Sequence, residues 1–457
     1  MIKDIFREYD IRGIVGEELN ERSVKAIGLL LGREMMKRGA KRVSVGHDAR
    51  TSAEALFAYL ASGLNATGLE VSDIGMLPTP VGYYTVFSGL FDANVMITGS
   101  HNPKEYNGFK ITIGEDSFFG EDIRALGEGV LALLGSGEEI PTDARAEAYD
   151  ALTPYVEFYR KSFPHLANLP TRFICDCANG VAGVSLKPIL NALNLNAKLL
   201  FPEPDGTFPN HHPDPSVLSN LKDLQEAMKR EGIALGFGFD GDADRIAVLT
   251  PRRVIKGDEL AYLYAKNMKN PRVLGEVKCS QNMYDEIDKI GHAFMGKTGH
   301  SNIKKAMKEL NIDMAAEVSG HIFFKERFFG FDDAVYAMTR VLELVAAGFD
   351  LDAELDKLPK LYSTDELKIK ASDANKFKII EEVKGLLANG ETSLPKIVEV
   401  IDIDGVRVRF DGGWALVRAS NTTPVLVTRF EAASEEFLEQ IRRDFTALVE
   451  KVKAKYE

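Results

Sequence analysis

The chain reads as an α/β protein of several units, closed by a small α+β unit, and three observations carry that reading. Apolar residues alternate between helical and strand spacing through the first 130 residues. The alternation restarts after an irregular stretch rich in Gly, Pro and acids at 135–154, and again near 254. From about 363 the pattern changes to closely spaced strands followed by one amphipathic helix. A chain of 457 residues exceeds what one hydrophobic core usually organises. Division at these breaks gives four units, 1–149, 150–252, 253–362 and 363–457.

In the first unit Val24, Ile27, Leu30, Leu31 and Met35 recur at helical spacing, with Gly39 as the stop. Residues 43–45 read as a strand. Leu56, Leu60 and Leu64 line a second helix that ends before Gly68, and 69–74 is a strand running into a break at Pro78-Thr79-Pro80. An apolar run at 93–98 follows. The second unit begins with a strand at 173–175 and closes on "GFGFDGDADRIAVL". The third carries a helix: Asp332 and Asp333 suit its positive N-terminal end, Val335, Met338, Leu342 and Val345 form one face, and Gly348 ends it. In the tail, strands at 398–403, 406–410 and 425–430 precede a helix with Phe437, Ile441, Phe445 and Leu448 on one side. No sequence repeat links the units.

A hydrophobic fraction of 45% and a charged fraction of 27% are ordinary for a globular chain. The formal charge of −12 argues against a general nucleic-acid surface or an anionic membrane as partner, while allowing a local basic pocket for a small anion. The opening MIKDIFREYDIRG has no signal-peptide core. The most apolar helix, at 335–347, is interrupted by Arg340 and Glu343, so no membrane span is expected. Cys175, Cys177 and Cys279 have no metal-finger or redox spacing and read as reduced thiols of a cytoplasmic protein. The tail lacks a coiled-coil heptad, and a monomer or weak homo-oligomer is expected.

Four loops carry chemistry. In TGSHNPKEYNGFK, 98–110, an apolar strand feeds a tip at Ser100 with His101 beside it. A hydrolase elbow requires GxSxG, but Thr98 and Asn102 stand where its glycines belong, so that reading fails. Ser100 remains a phosphate carrier or the cap of a turn. In DGDADR, 240–245, three carboxylates at a spacing of two concentrate charge that calls for a cation. A calcium hand would place Gly sixth and Glu twelfth, where this chain has Arg245 and Pro251. Three hard oxygens with open positions suit a magnesium ion that also holds a phosphate oxygen.

The third loop, EVSGH at 317–321, gathers an acceptor, a hydroxyl and an imidazole able to clamp vicinal sugar hydroxyls. The fourth, RASNTTP at 418–424, offers an arginine, hydroxyls and an amide in a tight turn: an anion nest without a Walker lysine. No GxxxxGK[ST] occurs, so no nucleoside triphosphate is indicated. Singly, each loop also fits a plain polar turn. Converging on one cleft, they would grip a phosphorylated sugar at both ends.

The motifs TGSHNPxxYNGFK, DGDADR, EVSGH and RASNTTPVLVTRFEA resemble, in order, the four signature loops of the α-D-phosphohexomutase family. The resemblance to the family's bacterial-type phosphomannomutase/phosphoglucomutase branch runs from FREYDIRG at Phe6 to the final unit. It implies three related α/β/α domains and a C-terminal α+β domain like the TATA-binding-protein fold, set around a central cleft. It implies reversible phosphoryl transfer between C1 and C6 of mannose and glucose phosphates, through a phosphoserine and a 1,6-bisphosphosugar.

By that resemblance Ser100 carries the phosphoryl group, and Asp240, Asp242 and Asp244, with a phosphoserine oxygen, hold one Mg²⁺. Glu317 and Ser319 meet the sugar O3 and O4, and Arg418, Ser420, Asn421 and Thr422 hold the phosphate at the non-reacting end. Tyr9, Arg245, Lys278 and His300 match other substrate-contacting positions; Arg12, Lys110, His101 and His321 match proton handlers or electrostatic partners. Glucose 1,6-bisphosphate or an equivalent is implied as activator.

The bisphosphosugar must turn end for end, which exchanges the places of O3 and O4. Both are equatorial in glucose and mannose, so one Glu/Ser clamp serves both orientations, and the sugars differ only at C2. A sister group specific for amino sugars reads SASHNPxxxNGIK and GEQSGH, unlike this chain, and phosphoglucosamine mutase is the alternative reading. One departure is Ala316, where the sugar loop usually has Gly. A sugar-phosphate phosphatase would share the metal loop and the phosphoserine, and a silent sugar-phosphate binder would keep the same loops without turnover.

Overall fold

The computed structural model describes residues 2–390, 392–421 and 423–457. The first sheet runs Ile11–Ile14, Tyr106–Ile113, Ala93–Ile97, Arg42–His47, Glu70–Met76, Glu147–Ala148. Its centre is parallel, because helices Ala53–Asn65 and Thr79–Phe87 return the chain between strands. The helix expected from Val24 to Met35 spans Glu21–Lys37 and is capped by Asn20, whose side chain accepts from the Ser23 amide. One expectation is corrected: Pro78-Thr79-Pro80 is not a break but a helix start. Thr79–Phe87 begins there, with proline in the first turn, where a missing N–H costs no helical bond.

The second sheet runs Val254–Ile255, Ile246–Leu249, Gly236–Phe239, Phe173–Asp176, Ala197–Leu200. The third runs His292–Gly296, Arg272–Glu276, Met314–Ala316, Ile322–Phe324. These three sheets share one pattern that no sequence repeat displayed. In each, a parallel pair (Arg42–His47 with Ala93–Ile97, Phe173–Asp176 with Gly236–Phe239, Arg272–Glu276 with Met314–Ala316) is followed by an antiparallel partner. Those partners are Tyr106–Ile113, Ile246–Leu249 and Ile322–Phe324. The turns joining the last two strands are the serine, aspartate and Glu/Ser loops, each outside the carboxyl end of a parallel strand, where open α/β sheets bind ligands.

The fourth sheet is antiparallel: Tyr362–Ser363, Val425–Ala432, Gly413–Ala419, Val406–Phe410, Ile397–Ile401, with Leu367–Lys370 also on Val425–Ala432. Helices Lys376–Ala388 and Glu435–Lys453 pack on it around Ile379, Val383, Phe430, Ile441 and Phe445. The loop 420–424 joins two neighbouring strands of this sheet.

One apolar core runs continuously from Tyr83 and Tyr84 of the first unit through Tyr155, Tyr159 and Phe237 of the second to Phe324, Phe331 and Tyr336 of the third. Phe328 stacks on Tyr336 at 3.9 Å between ring centroids, and Tyr84 meets Tyr155 edge-on. This shared core fixes the first three units relative to one another. The helix that Asp333 caps, Ala334–Ala346, lies within it. All three cysteines are buried and unpaired. No helix among the described residues is long and apolar enough to cross a membrane.

Candidate active site

The serine and aspartate loops meet edge to edge. A Cβ on Gly241 would stand 2.6 Å from the Ser100 carbonyl, so glycine is required for the approach. Ser100 is buried in left-handed backbone, φ 49°, a conformation that persists only where its surroundings over-determine it. Its Oγ donates to Asp240 Oδ2 at 3.0 Å and lies 3.1 Å from His101 Nδ1. Its amide donates to Thr98 Oγ1 at 2.8 Å. Arg12 reaches the same turn: Nη1 donates to the Gly99 carbonyl at 3.1 Å and to Asn102 Oδ1 at 2.9 Å, while Asp10 holds the rest of the guanidinium.

Asp240, Asp242 and Asp244 are fully buried, and each presents an oxygen within 4.8 Å of the others. Asp240 Oδ1 accepts from the amides of Asp244 and Arg245 at 3.0 and 3.1 Å. Asp242 Oδ2 accepts from Thr79 Oγ1 and from Lys110 Nζ, both at 2.7 Å, and Lys110 also donates to Asp244. Asp242 Oδ1 and Asp244 Oδ1 accept no hydrogen bond, and His321 Nδ1 lies 3.7 Å from the latter. Two orphaned carboxylate oxygens in an all-oxygen donor set fit a divalent cation. The crowding also sets protonation. Burial, with Asp242 and Asp244 beside it, pushes Asp240 well above the usual carboxylate range. Burial opposes the charge of Asp242, but Lys110 and Thr79 outweigh it and hold that carboxyl low. Burial likewise opposes the charge of Lys110, and the two aspartates more than offset it.

His321 closes this side. Its Nε2 accepts from Arg245 Nε at 2.8 Å, and its Nδ1 lies 2.9 Å from Asp332 Oδ2. Asp332 is balanced in turn by Lys304 Nζ at 3.0 Å, which sits over the Tyr83 ring. His300 lies 6.0 Å from His321 between ring centroids; burial and then Lys304 keep it neutral, well below the ordinary histidine range. Burial, reinforced by Arg245 and Arg12, does the same to His101.

The far end of the cleft joins three units. Glu317 Oε1 accepts from the Gly299 amide at 2.6 Å, and Ser319 is half-buried in the same turn. Ala316 keeps ordinary strand backbone and pairs with Ile322, so the larger residue leaves this loop unstrained. Lys278 Nζ is shared between Glu366 Oε1 at 2.5 Å and Glu276 Oε1 at 3.3 Å. Tyr9 of the first unit donates to the Thr298 carbonyl at 2.9 Å and accepts from Asn421 Nδ2 at 2.6 Å. Burial pushes its phenol up to about 12. Arg418 Nε donates to Asp404 Oδ2 at 2.8 Å, and the Thr298 amide donates to the same oxygen at 3.1 Å. Ser420 Oγ pairs with Thr423 Oγ1 at 2.8 Å. Thr422 lies outside the described residues.

The structure therefore links Ser100, His101, Lys110, the three aspartates, Arg245 and His321 by direct contacts. Tyr9, Asn421, Arg418 and Glu317 form a second group around 298–299. Sequence reading missed Asp48, Arg50, Thr79, Lys304 and Asp404, and placed Asp332 at the helix N-terminus that Asp333 caps, whereas Asp332 pairs with His321 and Lys304. Asp48-Ala49-Arg50 had a legible signal, an ion pair at the carboxyl end of a parallel strand; Thr79 and Asp404 had none.

Comparison with known proteins follows the same division. Phosphoglucomutase/phosphomannomutase models for α/β/α domains I, II and III match residues 3–126, 153–253 and 256–362. The C-terminal domain model of that family matches 366–448. A phosphomannomutase/phosphoglucomutase from Pseudomonas aeruginosa is 43% identical over 96% of this chain and 94% of its own length. A phosphoglucomutase from Neisseria gonorrhoeae is 40% identical over 98% and 97%. Among solved structures, a phosphoglucomutase/phosphomannomutase family protein from Burkholderia thailandensis superposes with a TM-score of 0.88 at 36% identity, covering 99% of this chain and 98% of that one. With all four domain models matched in order and relatives above 40% identity end to end, the chain belongs to the phosphoglucomutase/phosphomannomutase family of α-D-phosphohexomutases.

Proposed function

We infer that the chain is a phosphohexomutase, an isomerase that interconverts hexose 1- and 6-phosphates of glucose and mannose. Its four units, 1–149, 150–252, 253–362 and 363–457, each supply one loop to the cleft. The observation that carries the mechanism is Ser100 Oγ, pinned in a strained turn 3.0 Å from an Asp240 carboxylate and beside two orphaned acidic oxygens.

A phosphomonoester is nearly inert without catalysis, so acceptor oxygen, phosphorus and leaving oxygen must be held in line. Phosphorylated Ser100 gives its phosphoryl group to the free hydroxyl of the bound sugar phosphate. The sugar oxygen bonds to phosphorus, the phosphorus–Oγ bond breaks, and the hydroxyl proton passes to a base of the site, for which His321 is the candidate; Lys110, held as a cation by Asp242 and Asp244, is an electrostatic partner of the transfer. The 1,6-bisphosphosugar turns end for end, and the other phosphoryl group returns to Ser100. Glu317 and Ser319 hold O3 and O4 in both orientations, while Arg418, Ser420 and Asn421 hold the phosphate that is not reacting. Arg12 and Arg245 face the transferring group. Asp240, Asp242 and Asp244 would hold one Mg²⁺ together with the Ser100 phosphate, and when bound it neutralises charge on that group. Glucose 1,6-bisphosphate, or an equivalent, primes any serine that has lost its phosphate.

Phosphorus NMR with Mg²⁺, a trace of glucose 1,6-bisphosphate and either 1-phosphate tests this reading. A 6-phosphate signal is expected from both sugars, with kcat/KM values within about a thousandfold, since the Glu/Ser clamp meets O3 and O4 and the sugars differ only at C2; a larger ratio would mean a built contact to the C2 hydroxyl. Free phosphate as the sole product would make the chain a phosphatase. Ser100→Ala is expected to abolish mutase turnover, and full activity in that variant would overturn the phosphoserine mechanism.

A further inference from the structure

Arg50 is 2% exposed, and nothing in the mechanism above uses its charge. The serine turn is wrapped around it. Nη2 donates to the carbonyls of Ser100 and Asn102 at 3.0 and 2.6 Å, and Nη1 to those of Pro103 and Tyr106 at 2.6 and 2.8 Å. Nε is held by Asp48 Oδ2 at 3.2 Å, and that oxygen also accepts from Thr98 Oγ1 at 2.8 Å and the Gly99 amide at 3.1 Å. Gly99 is obligatory here, because a Cβ would lie 2.3 Å from the guanidinium carbon.

The consequence for Ser100 is specific. Its carbonyl is held by Arg50, and the preceding carbonyl, of Gly99, is held by Arg12. Both peptide planes flanking the Ser100 Cα are thus fixed, and with them the left-handed φ of 49° that aims Oγ at Asp240. A planar five-donor fork can hold four carbonyls at once; an ammonium with three donors at a point cannot.

The second unit backs this clamp. The Phe208 ring lies 5.5 Å from the Arg50 guanidinium, and Gly206 packs so closely that a Cβ would stand 2.4 Å from the Ala49 carbonyl. His212 Nε2 donates to the His101 carbonyl at 2.6 Å.

We propose that Arg50 is a positioning residue that aims Ser100 for phosphoryl transfer, with Phe208 of the second unit as its backing. The proposal rests on Ser100 being the phosphoryl carrier. The test charges wild type, Arg50→Lys and Phe208→Leu with glucose 1,6-bisphosphate carrying labelled phosphate. Label on Ser100 is counted, and glucose 1-phosphate turnover is then measured per labelled site, so that misfolded molecules drop out of the comparison. Arg50→Lys is expected to lose about 100-fold in kcat per labelled site, the scale of an ångström-sized misplacement. Its KM is expected to stay within about threefold of wild type, because the clamp touches no substrate. More of its label is expected to go to water, relative to isomer formed, than in wild type. Phe208→Leu is expected to move the same quantities in the same direction by about fivefold, the scale of a partly buried cation–π contact, and it decides alone if Arg50→Lys does not fold. Wild-type kcat per labelled site in the variants overturns the proposal and leaves the carrier reading intact. A wild-type enzyme that takes no label on Ser100 overturns both.

Discussion

Arg407 offers a sharp test of how the fourth unit is seated. It is fully buried on the sheet of that unit, yet Nη1 donates to the carbonyls of Val277 and Cys279 in the third unit, at 2.7 and 2.8 Å, and Nη2 donates to Gln281 Oε1 at 3.0 Å. Its guanidinium lies 3.9 Å from the centre of the Trp414 ring. The two carbonyls flank Lys278, so the same contact steadies a residue of the cleft. In Arg407→Met the stem is roughly replaced and the fork is lost. Leaving two buried carbonyls without a donor costs about 1–3 kcal/mol each. Loss of a desolvated cation–π contact costs about 2 kcal/mol more. Against this, the variant no longer buries a charge whose Nε has no partner, which returns about 3 kcal/mol. The net is about 3 kcal/mol of destabilisation at this seam.

Trp414 is the single tryptophan of the chain and is buried at the seam, so its fluorescence reports this contact rather than the whole molecule. In a urea titration the Trp414 transition is expected to move down by about 1–2 M. KM for either sugar 1-phosphate is expected to rise, because the carbonyls on either side of Lys278 lose their Arg407 donor. A midpoint shift below about 0.3 M would refute the reasoning and make the guanidinium an energetically neutral filler.

Other consequences can be checked with less effort. Burial raises Asp333 from the ordinary 3.8 to about 6, while Tyr155 and Tyr159 donate to it and it caps helix Ala334–Ala346. A raised folded value means that the stabilisation is complete below about pH 4 and is lost as pH rises through about 6. The stability of wild type relative to Asp333→Asn is therefore expected to fall by about 2–3 kcal/mol between pH 4 and 7, read from urea midpoints. No change in that difference would sink the assignment. Chelation of divalent cations is expected to abolish turnover and Mg²⁺ to restore it. Mg²⁺ at a hundredfold excess over its dissociation constant is expected to stabilise wild type by about 2.7 kcal/mol. Asp242→Asn should lose most of that gain, and an equal gain in the variant would remove Asp242 from the metal site.

Much of the site was legible because its chemistry is local. The serine, aspartate, Glu/Ser and arginine loops are each contiguous, so residue type and spacing could suggest a carrier or turn cap, a cation cage, a hydroxyl clamp and an anion nest; each also fitted a plain polar turn, and the family resemblance chose between the readings. Helices such as Glu21–Lys37 and Ala334–Ala346 were legible for a similar reason: one face is apolar at a 3.6-residue period, and capping residues stand at the ends. Pro78-Thr79-Pro80 was not, since proline both interrupts and begins helices, and only packing of Thr79–Phe87 onto the sheet selects the second role.

What the amino-acid order alone determined, then, is the inventory of reactive groups and the short elements that present them. The tertiary structure decided which groups face one another. Three sheets without a shared sequence pattern place their loops at the same turn, because strand pairing repeats while side chains do not. Asn421 meets Tyr9 across 412 positions, Thr79 meets Asp242 across 163, and Arg407 carries the carbonyls on either side of Lys278. Periodicity and propensity act over a few residues, whereas a buried charge must be balanced by whatever shares its desolvated space, however distant in the chain.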